Sequence, residues 1–174
     1  MKTLPKLIIT DIDGVWTDGS MYYDQTGNEL KRFHTYDSAG VLFARLLNIP
    51  VAILTGETTH IVQRRAAKLN IDYLFQGVKN KIEIAQQIID ELKIDFKDCA
   101  FIGDDINDVA LLGKVGFSGA TANAPDYIKA KVQYVTQKKG GEGAFREFVE
   151  HILTEHGIFE DILAKAIANH EKSN

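Results

Sequence analysis

The regular alternation of short, continuously apolar runs with longer segments of helical period most limits what this chain can fold into. The runs "KLIIT" (6–10), "PVAILT" (50–55), "YLFQ" (73–76), "CAFIG" (99–103) and "VGFSG" (115–119) have the length of strands and no consistently polar face. A strand covered on both sides requires that pattern. Between them, "DSAGVLFARLLN", "TTHIVQRRAAKLN", "KIEIAQQIIDELK" and "INDVALLGK" repeat apolar residues at helical spacing, with Asp37 or Ser38 and Thr58 as expected N-caps. Such an order calls for right-handed βαβ crossovers and helices on both faces of the sheet. The expected class is α/β, a doubly wound, mostly parallel sheet. With 174 residues and 45% hydrophobic content, one domain spanning 1–174 is expected.

One segment breaks the alternation. In "GSMYYDQTGNELKRFHT" two strand-like runs flank the turn-forming "DQTGN", which predicts a β-hairpin over about 19–35. Tyr22, Tyr23 and Phe33 on so small a ribbon need cover, either from the edge of the same domain or from another subunit. After Gly157, the apolar residues Ile158, Phe159, Ile162, Leu163, Ala166 and Ile167 form one stripe, predicting a C-terminal helix over about 157–172 that docks on its own chain or a partner's.

Charge and cysteine usage remove several classes of function. Twenty basic against 24 acidic residues give a net charge of −4, which offers no overall attraction to nucleic acid or an anionic membrane. The single Cys99 forms no internal disulfide, acids follow the first apolar run too soon for a signal peptide, and no stretch is long enough to span a bilayer. A cytoplasmic setting is expected.

In a doubly wound sheet, chemistry gathers outside the carboxyl ends of the strands. Asp11 and Asp13 follow the first apolar run there, Thr55 and Gly56 end the second, and Asp104 and Asp105 end "CAFIGDD". Lys81 opens a helix on the same edge, and Asn107 and Asp108 lie in the first turn after the acidic pair. Each alone has a bland reading as a turn, cap or solvated residue. Together, clustered carboxylates suit a hard cation such as Mg²⁺, and lysine, hydroxyl and amide donors suit a phosphoryl group. One aspartate can attack phosphorus while a second, two residues on, protonates the leaving oxygen and then activates water. The five histidines show no metal-ligand spacing and read as surface or packing residues.

"DIDG", "LTGE", Lys81 and "GDDIND" resemble the four successive motifs of the haloacid dehalogenase superfamily, over nearly the whole chain. The resemblance implies a Rossmann-like core in which Asp11 is the nucleophile and Asp13 the general acid/base. It implies Mg²⁺ held by Asp11, the Asp13 carbonyl and Asp104. Thr55, Gly56 and Lys81 would bind the phosphoryl group, with Asn107 assisting and Asp105 and Asp108 supporting the metal shell and Lys81. The intervals leave room for a projecting hairpin but for no cap domain. "TDIDGVWTDG", "YDSAGV" and "KKGGEGAFREFVE" are further similar to the cap-free phosphatases of 3-deoxy-2-keto sugar acids, which implies a homotetramer with active sites at subunit interfaces and a small sugar acid phosphate as substrate.

That family has an octulosonate 8-phosphate branch and a nononate 9-phosphate branch. The octulosonate branch usually carries arginine after the Thr-Gly of the second motif, where this chain has Glu57; with Arg65 and Lys68 one helical step apart, the pattern looks more like the nononate branch. Glu57 can accept sugar hydroxyls, and Arg65 and Lys68 can pair with the substrate carboxylate, or the two bases are a solvated helix face. "KKGGEG" reads as a basic loop closing over an anion or as a turn into the next helix. Two rival functions are a phospho-acceptor signalling domain, in which the acidic pair precedes the acceptor, and a non-catalytic oligomerisation module.

Overall fold

The computed structural model describes residues 3–171. Strands β1 (Leu7–Thr10), β4 (Val51–Leu54), β5 (Tyr73–Phe75), β6 (Cys99–Gly103), β7 (Phe117–Ala120) and β8 (Tyr134–Val135) form one parallel sheet in the order β5-β4-β1-β6-β7-β8. β1 is central, with Thr10 level with Ile53 on one side and Ile102 on the other. The chain runs outward from β1 through β4 to β5, then crosses back to β6 on the opposite side of β1. That reversal opens a crevice at the carboxyl ends of β1, β4 and β6.

Strand alternation divides the core in two. Ile8, Ile53, Ala100 and Ile102 pack under α1 (Asp37–Leu46), α2 (His60–Leu69), α6 (Ala144–Glu155) and α7 (Phe159–Glu171). Leu7, Ile9, Ala52, Leu54 and Phe101 pack under α3 (Lys81–Leu92), α4 (Val109–Leu112) and α5 (Asp126–Lys129). Helix α7 docks on its own chain: Phe159 meets Phe43 edge-on at 6.1 Å, and Ile162 and Ala166 are buried in the first core.

Several local expectations change. The N-cap of α2 is Thr59, whose hydroxyl accepts the Val62 amide, rather than Thr58. Neither Asp37 nor Ser38 caps α1; Asp37 lies inside it and accepts the Arg146 amide at the start of α6. β8 falls outside the expected strands. "KKGGEG" is a packed turn: the Gly141 amide bonds the Val15 carbonyl, the Gly140 amide bonds Asn123, and a Cβ on Gly140 would lie 2.0 Å from the Gly14 carbonyl oxygen.

The hairpin is short. β2 (Tyr22–Tyr23) pairs with β3 (Glu29–Leu30), Asp24 organises the turn by accepting the amides of Thr26 and Asn28, and a single bridge from Thr17 to Phe33 joins its base. Tyr23 and Leu30 are 68% and 65% exposed.

Candidate active site

The loop after β1 is wound around one carbonyl. The amides of Val15, Trp16 and Thr17 all bond Ile12 O. Trp16 is fully buried, stacks on Phe145 at 4.7 Å and donates from Nε1 to the Thr10 hydroxyl at 2.9 Å. These contacts fix the segment carrying Asp11 and Asp13. Gly14 has φ of +88°, and a Cβ there would lie 1.9 Å from Asp104 Oδ2, so only glycine admits that carboxylate.

A cavity of about 240 Å³ opens at this edge, lined by Asp11, Asp13, Gly19, Thr55, Gly56, Glu57, Asp104, Asp105 and Asn107. Beneath it, Lys81 Nζ lies 2.9 Å from Asp11 Oδ2 and 2.6 Å from Asp108 Oδ1. Asp108 Oδ2 accepts the amides of Asp104 (2.9 Å) and Asp105 (3.2 Å). Asp105 closes the short turn Ile106–Asp108 by accepting the Ile106 amide. The hydroxyl of Thr55 is enclosed and has no partner.

Five carboxylates on one small wall are electrostatically costly. Burial, with Asp108 adding repulsion and Lys81 opposing both, raises the Asp11 carboxyl to about 7. Burial and then repulsion from Asp11, Asp108 and Asp105 raise Asp104 to about 8. Lys81 is held above its ordinary value because Asp11 and Asp108 outweigh the burial that opposes its charge. Oxygens of Asp11, Asp104 and Asp108 come within 4.8 Å of one another, and Asp104 Oδ1 is buried without a partner. Hard oxygen donors with unneutralised charge fit a divalent cation such as Mg²⁺. Asp108 lies under the cavity floor with both oxygens serving Lys81 and the loop amides, whereas Asp11 and Asp104 line the cavity, so these two are the carboxylates best placed to hold it.

Asp11, Asp13, Thr55, Gly56, Glu57, Asp104 and Asn107 therefore share one cavity, with Lys81 and Asp108 under its floor. Arg65 and Lys68 are not among its lining residues. Arg65 donates to the His34 carbonyl at 3.2 Å and lies over the Phe33 ring, and Lys68 is exposed in the last turn of α2. From the start of that helix they are roughly 7 Å and 12 Å along its axis. Sequence reasoning missed Lys31, whose ammonium lies 2.6 Å from Asp13 Oδ1; no motif marks it.

A switch-point crevice in a parallel sheet, holding an aspartate pair, a buried lysine and an acidic cluster able to hold a metal ion, fits a metal-dependent hydrolase of the Rossmann-like kind. The model of the haloacid dehalogenase-like hydrolases matches residues 51–148. The 3-deoxy-D-manno-octulosonate 8-phosphate phosphatase of Salmonella typhi is 37% identical over 162 residues, covering 93% of this chain and 86% of that protein. The crystal structure of the phosphatase of that name from Moraxella catarrhalis, in complex with a magnesium ion, a phosphate ion and a KDO molecule, is 34% identical with a TM-score of 0.88 over 92% of both chains. The cobalt-bound enzyme of Haemophilus influenzae is 37% identical with a TM-score of 0.84, over 89% of this chain and 91% of that one. The chain belongs to the haloacid dehalogenase-like hydrolases, in the cap-free sugar acid phosphatase family.

Proposed function

We propose that this chain is a Mg²⁺-dependent phosphatase of a 2-keto-3-deoxy sugar acid phosphate, working through an aspartyl phosphate on Asp11. The observation that carries the reading is the contact of Lys81 with both Asp11 (2.9 Å) and Asp108 (2.6 Å) at the floor of a cavity that Asp11 lines with Asp13, Thr55 and Asp104. Lys81 draws the Asp11 carboxyl toward its ionised form, against burial, and orients it for attack on phosphorus. Thr55 and the backbone at Gly56 donate to the phosphoryl oxygens, with Asn107 beside them. Asp13 gives its proton to the departing sugar oxygen and then takes one from the water that hydrolyses the acyl phosphate. Asp11, the Asp13 carbonyl and Asp104 would hold Mg²⁺, which would supply the positive charge that lets a phosphate dianion enter an acidic cavity.

The nononate 9-phosphate is the preferred substrate in this reading, because Glu57 lines the cavity at the position where, by the resemblance above, the octulosonate branch usually carries arginine. The octulosonate 8-phosphate is the second reading, favoured by the names of the relatives. Arg65 and Lys68 do not line this chain's own cavity, and in this reading they hold the substrate carboxylate in a neighbour's. A cytoplasmic homotetramer joined through the exposed hairpin would put them there. Steady-state hydrolysis of both esters with Mg²⁺ tests the function: a higher kcat/KM for the octulosonate ester would reverse the branch, and undiminished turnover by Asp11→Asn would refute the mechanism.

A further inference from the structure

The hairpin sends one side chain back toward the cavity. Lys31 directly follows β3, and its side chain is only 1% exposed. Its ammonium lies 2.6 Å from Asp13 Oδ1, 3.4 Å from Glu29 Oε1 and 3.9 Å from Met21 Sδ. The Thr17 hydroxyl also reaches Asp13 Oδ1, at 3.3 Å. Asp13 Oδ2, by contrast, is enclosed and has no partner, although the residue lines the cavity.

An aspartate carboxyl turns in a broad torsional well. A charge-assisted bond to one oxygen fixes both the plane of the group and which oxygen is free. Resting on the phosphatase reading above, we infer that Lys31 is a positioning residue for proton transfer: it anchors Asp13 by Oδ1 and so leaves Oδ2 as the oxygen free to serve the one leaving phosphorus. As the bond from Asp11 to phosphorus forms and the phosphorus–ester oxygen bond breaks, the proton on Asp13 Oδ2 passes to the departing oxygen. The attacking water later returns a proton to Asp13. Lys31 stays charged throughout and gives up no proton. The hairpin thereby serves the chemistry of its own chain, apart from any part in assembly.

The leaving group separates this role from simple support of the hairpin. Through phosphorylation of Asp11, kcat/KM depends on protonating the departing oxygen of an alkyl ester, whereas p-nitrophenolate departs unprotonated. Lys31→Met keeps the stem and removes the ammonium. It is compared with wild type, with Mg²⁺, on p-nitrophenyl phosphate and on whichever sugar acid phosphate wild type turns over faster. General acids contribute on the order of 10²–10⁴ in rate, so the loss on the sugar ester should exceed that on the aryl ester by about tenfold or more. Lys31→Arg should recover most of that difference, and adding Lys31→Met to Asp13→Asn should not change the ratio further.

Equal losses on the two esters overturn the inference. Both esters are read on one preparation, so a partly unfolded variant scales them together and leaves the ratio intact. Should Lys31→Met give no folded protein, Lys31→Gln is read on the same ratio with the same two outcomes. Wild type inactive on both esters would overturn the phosphatase reading and this inference with it, a result distinct from an active wild type with equal losses in the variant.

Discussion

Asp108 holds Lys81 with one oxygen, at 2.6 Å, and the Asp104 amide with the other, at 2.9 Å. A single buried carboxylate thus sets the cation under Asp11 and the loop that carries a candidate metal ligand. Gly103 allows this approach, since a Cβ there would lie 2.5 Å from the Asp108 carboxyl.

Asp108→Asn should therefore weaken stability and turnover together. The amide cannot accept on both sides, so one of its hydrogens must face Lys81 or a backbone donor. Breaking one partner of a buried pair costs about 3–5 kcal/mol, and a misplaced Lys81 should lower kcat on the order of 10²-fold. Urea unfolding and steady-state kinetics on p-nitrophenyl phosphate read both. An unchanged unfolding midpoint would show that the pair holds nothing together.

Metal binding should depend steeply on pH. Without a cation, Asp11 titrates near 7 and Asp104 near 8, raised first by burial. Below those values the carboxyls hold protons that Mg²⁺ must displace, so affinity rises with pH through 6 to 8 and levels off above. Calorimetry in buffers of different ionisation enthalpy should find protons released at pH 7 and almost none at pH 9.5. Asp104→Asn should bind Mg²⁺ far more weakly. Proton release that does not change between pH 7 and 9.5 would contradict the burial argument.

Asp37 offers a stability test away from the cavity. It is fully buried, Oδ1 accepts the Arg146 amide at 3.1 Å, and Oδ2 has no partner. Burial raises this carboxyl to about 7, against the pull of the Arg146 amide, Arg65 and Lys138. Between the unfolded value of 3.8 and about 7, the folded chain keeps a proton that the unfolded chain has lost. Folding stability from this group falls as pH rises through that window. Asp37→Asn carries no charge, so its stability relative to wild type should increase from pH 4 to pH 8, by about 1–3 kcal/mol at the upper end. Thermal unfolding at pH 4, 6 and 8 measures it, and a constant difference would refute it.

The parts of this architecture that the sequence makes legible are those written in local period. Asp11, Thr55, Lys81 and Asp104 follow or open elements whose apolar runs are long and regular, so a parallel sheet alone brings them to one edge. Thr58 and Thr59 are adjacent hydroxyls, and only the backbone geometry selects the second as the cap. Asp37 lies 109 residues from the Arg146 amide that it accepts, and β8 has two residues; neither leaves a periodic trace. Lys31 is 18 residues from Asp13, in a ribbon too short for alternation to say which side chains turn inward. Arg65 and Lys68 share a helix face by spacing, but where that face points depends on how α2 packs.

That placement gives the last prediction. Arg65 and Lys68 do not line the cavity containing Glu57, and in the assembly proposed above they hold the substrate carboxylate of a neighbouring copy. Two impaired chains can then complement each other. Asp11→Asn removes the nucleophile and keeps the basic pair, while Arg65→Gln with Lys68→Gln keeps the nucleophile and removes the pair. In a random one-to-one mixture of subunits, about a quarter of the cavities would join an intact Asp11 to a neighbour's intact pair. Co-expressed chains should therefore hydrolyse the sugar acid ester well above either variant alone, with the recovery seen mainly as a lowered KM. If each basic pair served its own chain, every cavity with Asp11 would still lack Arg65 and Lys68, and mixing would restore nothing. Light scattering on the same samples ties the outcome to assembly, because complementation between chains that remain monomers is physically impossible.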